Sequence, residues 1–99
     1  MLKIKDDVDL RKLKKYGFKE IQQNKRINYI FFPGDEKINR SGNVIVINND
    51  RNLFNYDYYI GEDREIHFDL NPQASYEFEE IMDKFFDIIK ADLVEKVVE

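Results

Sequence analysis

His67 is the only histidine in the chain, and it is where a search for chemistry starts. An imidazole oriented by a carboxylate can act as a general base. A three-residue turn at Gly61–Asp63 would set His67 opposite Asp57 on neighbouring strands, which supplies such a carboxylate. No nucleophile is marked beside the pair. Ser41 and Ser75 fall where loops and helix caps use serine. His67 therefore reads as a solvated or weakly paired structural histidine, and no enzymatic activity is expected.

Asn48-Asn49-Asp50-Arg51-Asn52 is rich in oxygen donors. It lacks the glycine and the distal glutamate of a calcium loop, and Arg51 sits among the donors. The stretch reads as a hairpin turn. Pro33-Gly34-Asp35-Glu36 is also turn material, with no Gly-Lys-Ser/Thr sequence to cradle a phosphate. Cysteine is absent, which excludes disulfides and thiolate metal sites. No metal, cofactor or small-molecule substrate is expected.

Charge is unevenly spread. Met1 to Arg26 carries nine basic and four acidic residues, and Ile27 to Glu99 carries seven and sixteen. The basic stretch includes Lys3, Lys5, Arg11, Lys12, Lys14, Lys15 and Lys19, with Tyr16 and Phe18 between them. Cations interleaved with rings can hold a nucleic-acid backbone and stack on its bases. Arg11, Lys12 and Lys15 are the candidate contacts. A sequence pI near 5.1 weighs against that use. On the acidic side, Glu77, Glu80, Asp83 and Asp87 share one helix side and could imitate a row of phosphates. Exposed helix faces carry such charge for solubility as well.

These groups need elements to position them. Ser75 to Val98 has apolar residues at Phe78, Ile81, Met82, Phe85, Ile88 and Ile89, with acidic residues in the gaps. That spacing predicts a long amphipathic C-terminal helix. Asn71-Pro72 or Ser75 would begin it. At the other end, Leu2 and Ile4 alternate with lysines as a short edge strand or tail, without the apolar run of a signal peptide. Val8, Leu10, Leu13 and Tyr16 then predict a short helix. An aspartate (Asp6, Asp7 or Asp9) would cap it, and Gly17 would stop it.

Strands are predicted between the helices at Phe18–Gln23, Arg26–Phe32, Val44–Ile47, Leu53–Ile60 and Glu65–Leu70. A five-residue turn at Asn48–Asn52 pairs Val46 with Phe54 and Val44 with Tyr56. The three-residue turn pairs Tyr58 with Ile66, Tyr56 with Phe68 and Phe54 with Leu70. This layer is expected to face the final helix. Ile45, Ile47, Leu53 and Tyr59 then point the other way. They would be covered by Val8, Leu10 and Leu13 of the first helix, or else form an interface with another chain.

Two phrases carry a resemblance. Ile4-Lys5-Asp6-Asp7-Val8-Asp9-Leu10 runs on to Lys15-Tyr16-Gly17-Phe18. Asp87-Ile88-Ile89-Lys90-Ala91-Asp92-Leu93-Val94-Glu95-Lys96-Val97 stands near the other end. Together they resemble the two ends of short, uncharacterised proteins of phages and prophages in low-GC Gram-positive bacteria. In those proteins a glycine often stands where this chain has Asp92. The resemblance thus implies a helix break there, with Leu93–Val98 as a short strand or turn. It also implies a mobile-element origin and an intracellular, cytoplasmic setting, but no activity and no site residues.

The expectation is a single α+β domain over residues 1–99: a short N-terminal helix, an antiparallel meander of four or five strands, and a long C-terminal helix packed on the sheet. No run is long and apolar enough to span a membrane. The expected function is a non-enzymatic accessory protein that binds a host or phage protein, or itself as a homodimer, through Ile45, Ile47, Leu53 and Tyr59 or through the acidic helix. The alternatives are a nucleic-acid-binding regulator using the basic N-terminal helix, or an acidic inhibitor that mimics nucleic acid.

Overall fold

The computed structural model describes residues 2–33, 40–69 and 78–97. The chain is mostly β, which corrects the α+β expectation. It runs β1 (Leu2–Ile4), a 3-10 helix (Leu10–Tyr16), β2 (Lys19–Gln23), β3 (Arg26–Phe31), β4 (Ser41–Ile47), β5 (Leu53–Ile60), β6 (Ile66–Asp69), α1 (Phe78–Lys90) and β7 (Val94–Lys96). Strands β2 to β6 form one antiparallel sheet in sequence order, and β1 pairs with β7 in a second, two-stranded sheet.

The long C-terminal helix is not formed. Helix α1 has 13 residues and stops at Lys90. Asp92 takes a left-handed backbone at φ 60°. Its N–H donates to Ile89 O at 3.0 Å, and the Leu93 N–H donates to Ile88 O at 3.2 Å. That pair of bonds closes a helix end, and aspartate tolerates the conformation better than most side chains. Leu93 is buried beyond the turn, and the chain continues as β7. The stop therefore lies where the resemblance implied a break. The apolar periodicity ran past it because no glycine marked it. The expected caps at Asn71-Pro72 and Ser75, like Leu70 and Glu77, lie outside the described residues.

The first helix is a 3-10 helix rather than an α-helix. Asp9 caps it by accepting the Arg11 N–H, at 3.0 Å. Gly17, at φ 90°, ends it in a conformation that costs glycine little. Its one buried side chain, Leu13, docks it on the core.

The β4–β5 hairpin has the register its five-residue turn predicts, with Val46 opposite Phe54 and Val44 opposite Tyr56. Asn48 Oδ1 organises this turn by accepting the Asp50 and Asn52 N–H groups, both at 3.0 Å. The Arg51 guanidinium leaves the turn and donates to Lys5 O and Val8 O, at 2.8 and 2.6 Å. The donor-rich stretch is thus a hairpin turn that holds the N-terminal segment.

The β5–β6 register differs from the expected one by two residues. Ile60 faces Ile66 and Tyr58 faces Phe68. The connection spans Gly61–Glu65 and is closed by Gly61 N–H to Glu65 O and Arg64 N–H to Gly61 O. Because the shift is even, each side chain keeps its face.

The two faces of the sheet are exchanged relative to expectation. Ile45, Ile47 and Leu53 are buried with Ile4, Leu13, Ile81, Ile88 and Leu93, so α1, the 3-10 helix and the β1–β7 pair all cover that side. The other side, with Val44, Val46, Tyr58, Ile30, Phe32 and Ile66, forms a separate cluster among the strands themselves. A five-stranded sheet packs against itself in this way by curling, and that side is its concave face. Gln23 on β2 confirms the curl, because its carboxamide bonds to the backbone of Ile66 on β6, the opposite edge of the sheet.

Candidate binding cleft

The concave face changes character along its length. Ile30, Phe32, Val44 and Tyr58 are buried at one end. Two residues before Ile30 stands Asn28, and two before that Arg26, on the same side of β3 by strand alternation. Val46 is followed at the same parity by Asn48, where β4 enters its turn. The sheet thus opens at this end into a cleft of about 440 Å³, walled by Val46, Phe54, Tyr56 and Phe68 and rimmed by Arg26, Asn28, Asn48 and Asp50. A second opening of about 390 Å³ adjoins it between β2 and β6 and shares Arg26, Asn28 and Phe68 with it.

The wall is a short ladder of rings. Phe54 and Tyr56 lie two residues apart on β5 and stack with centroids 5.1 Å apart and planes 9° apart. Phe68 on β6 lies 5.6 Å from Tyr56 at a tilt of 40°. All three are half-buried, so part of each ring faces the cleft. Burial pushes the Tyr56 phenol above its ordinary value, which keeps it protonated and able to donate. Neither Arg26 nor Asp50 forms an ion pair among the described residues. The cleft therefore offers flat apolar surface, a cation, an anion and amides. Those groups recognise a ligand by stacking, hydrogen bonding and charge.

The residues singled out in the sequence fall elsewhere. Ile45 and Ile47 are fully buried and Leu53 is 7% exposed, so the expected interface is largely core. The first helix covers that face, as the other alternative expected, with Val8 and Leu13 in the same cluster and Leu10 packed against it, and the exchange of faces adds α1 to the cover. Tyr59 alone stays outside, 52% exposed, stacked on the His67 ring at 5.1 Å.

Asp57 and His67 do not meet. The register sets His67 opposite Tyr59 and Asp57 opposite Asp69. Asp57 instead accepts from Asn43 Nδ2 at 2.8 Å. His67 Nε2 lies 3.0 Å from Asp63 Oδ2 in the connecting turn. The Glu65 backbone N–H, and then His67, hold the Asp63 carboxyl below its ordinary value. Gly61 allows this turn, since a Cβ there would come within 2.6 Å of Asp63 and 2.8 Å of His67.

Four side chains of the basic N-terminal stretch are held in ion pairs. Arg11 pairs with Asp9 at 2.8 Å and Lys14 with Glu20 at 3.0 Å. Lys3 pairs with Asp6 and Glu95, and Lys5 with Asp92. Lys12 and Lys15 are exposed without an ion pair among the described residues. Glu80, Asp83 and Asp87 are exposed on α1, and Asp87 lies 3.6 Å from Lys84. Glu77 is outside the described residues. Among the described residues, neither charged set lines the cleft.

Arg26, Asn28, Asp50 and the role of the three rings were missed in the sequence. A signal was present. Arg26 and Asn28 share parity with Ile30 and Phe32, which marks a strand face that is apolar at one end and polar at the other. No family model matches the chain, and no curated protein or solved structure matches it. Among the described residues, no helix is long and apolar enough to cross a membrane, and no group of three or more His, Asp or Glu side chains is placed to hold a metal ion.

Proposed function

We propose that this protein is a small non-enzymatic interaction protein that captures a protein partner in its concave cleft. The observation that carries the reading is the ring ladder of Phe54, Tyr56 and Phe68 beside Arg26, which has no ion pair among the described residues, on the sheet face opposite α1. Half-buried rings and an arginine are the side chains that contribute most to protein interfaces. The resemblance of the two chain ends to phage and prophage proteins supports a host or phage protein as the partner. It also supports an intracellular setting. Self-association through Ile45, Ile47 and Leu53 is no longer part of the reading, because those side chains are core.

The test is affinity capture from host extract with wild-type protein, Arg26→Glu and Lys12→Glu/Lys15→Glu. Circular dichroism melts check that each variant folds. The reading expects a partner that wild type and the double lysine variant retain and that Arg26→Glu loses. Equal recovery with Arg26→Glu overturns it. Loss with the lysine variant alone, together with salt-sensitive binding of labelled nucleic acid, would move the function to the 3-10 helix.

A further inference from the structure

We infer that the opening between β2 and β6 receives an extended, acidic segment of the partner protein as an added strand on the edge of β6. The inference rests on the interaction reading above. In an antiparallel pair, successive residues alternate between bonding the neighbouring strand and pointing away from it. Both main-chain groups of Ile66 point away from β5, since the Ile66 N–H donates to Gln23 Oε1 at 2.9 Å and Ile66 O accepts from Gln23 Nε2 at 2.9 Å. Phe68, two residues on, has the same orientation by alternation. Its N–H and C=O therefore face the edge of the sheet rather than β5.

Gln23 shows what this edge binds. A primary amide offers one C=O and an N–H, the pair of groups that a residue of a neighbouring strand would offer. One side chain thus stands in for a missing strand at Ile66, and the ladder stops there. The opening of about 390 Å³ lies at the same place, lined by Gln23, Asn24, Arg26, Asn28, Ile66 and Phe68. An incoming strand would continue the ladder at Phe68. Its alternate side chains would point to the concave side, toward the Phe68 and Tyr56 rings. Among the described residues, Arg26 is the one charged side chain lining this opening, and it has no ion pair. An acidic side chain on the incoming strand would meet it, with an apolar side chain two residues away for the rings.

The test uses random linear peptides displayed for selection on the folded protein, with Arg26→Glu as the counter-screen. The selected peptide is then synthesised with each backbone amide N-methylated in turn. Strand addition expects an acidic residue two positions from an apolar one. Methylation at alternate positions should weaken binding by about tenfold or more, as expected for a lost backbone hydrogen bond. Binding should also slow hydrogen exchange at the Phe68 amide. Selected peptides that tolerate methylation everywhere, lose affinity in Arg26→Glu and leave Phe68 exchange unchanged would overturn the added strand. The cleft reading would survive that result. No enrichment on wild type over Arg26→Glu would overturn both.

Discussion

The two faces of the five-stranded sheet are built from similar residues and end in different states. On the outer face, Ile45 and Ile47 are fully buried beneath α1 and the 3-10 helix. On the concave face, Val44 and Val46 are as deeply buried, but Phe54, Tyr56 and Phe68 beside them are only half covered. The difference is what lies on top. The outer face has a separate layer packed on it, whereas the concave face packs on itself and runs out of cover where the curl opens. Residue type sets how much a side chain gains from burial, but a second layer decides whether the gain is realised. The leftover exposure on the concave face is the basis for a binding role there.

The largest effect should come from a charge placed on the covered face. Ile45→Asp buries a carboxylate with no partner, at a cost of about 4 kcal/mol or more. That is a large share of the ~5–15 kcal/mol that holds such a domain. Loss of the folded circular dichroism spectrum at room temperature is the expected result. A folded variant with altered solution mass would return that face to the surface.

A matched pair of truncations measures the contrast directly. Ile88→Ala, in the covered core, should cost about 2–5 kcal/mol in urea unfolding. Phe54→Ala, on the open wall, should cost about 1–2 kcal/mol despite the larger side chain removed. Equal costs would mean that the concave end is as closed as the outer face, and the cleft would lose its claim.

Gln23→Ala probes the closure of the curl. It removes both side-chain bonds to Ile66, so a loss of about 1–2 kcal/mol is expected. Faster hydrogen exchange at the Ile66 amide should accompany it, while Ile45 and Ile47 amides on β4 stay protected. Uniform acceleration across the sheet would show that the two faces open as one unit.

The smallest effect is electrostatic and lies at the covered side's N-terminal segment. The Arg11 guanidinium, and then its backbone N–H, lower the Asp9 carboxyl from 3.8 to about 2. A depressed folded-state value means the stabilisation is complete above about pH 4 and is lost as pH falls toward 2. Asp9→Asn keeps an acceptor for the cap but carries no charge, so at pH 7 it should lose the small increment that wild type loses between those values, and the acid limb there should flatten. An unchanged acid limb would mean that the Arg11 pair does not hold in solution.

Much of the local structure was legible. Asn48–Asn52 carries turn residues at a hairpin length, and the β4–β5 register followed. Asp9 and Gly17 marked the bounds of the first helix, although its 3-10 form was not readable from apolar spacing. The β5–β6 register was misread because Gly61-Glu62-Asp63 looks complete as a turn. The left-handed residue that finishes it is Arg64, at φ 64°. The end of α1 was hidden for the same reason at Asp92. The cleft was legible only in part: alternation placed Phe54, Tyr56 and Phe68 on one face, but assigned that face to the helix.

Period and turn chemistry are local, so the sequence by itself determined which segments become strands, which side chains share a face, and where most turns fall. Both faces of β4 are apolar, Val44 and Val46 on one side and Ile45 and Ile47 on the other. Local pattern is therefore the same for a helix packed on either side. The tertiary structure decided between them. The Schellman-type stop at Asp92 frees the chain for β7, which pairs with β1, and β1 is tied to the Asn48–Asn52 turn by Ile4 N–H to Arg51 O at 2.8 Å. Those long-range bonds accompany α1 on the outer face and leave the sheet to curl on its other side, with Arg26 and three rings at the opening.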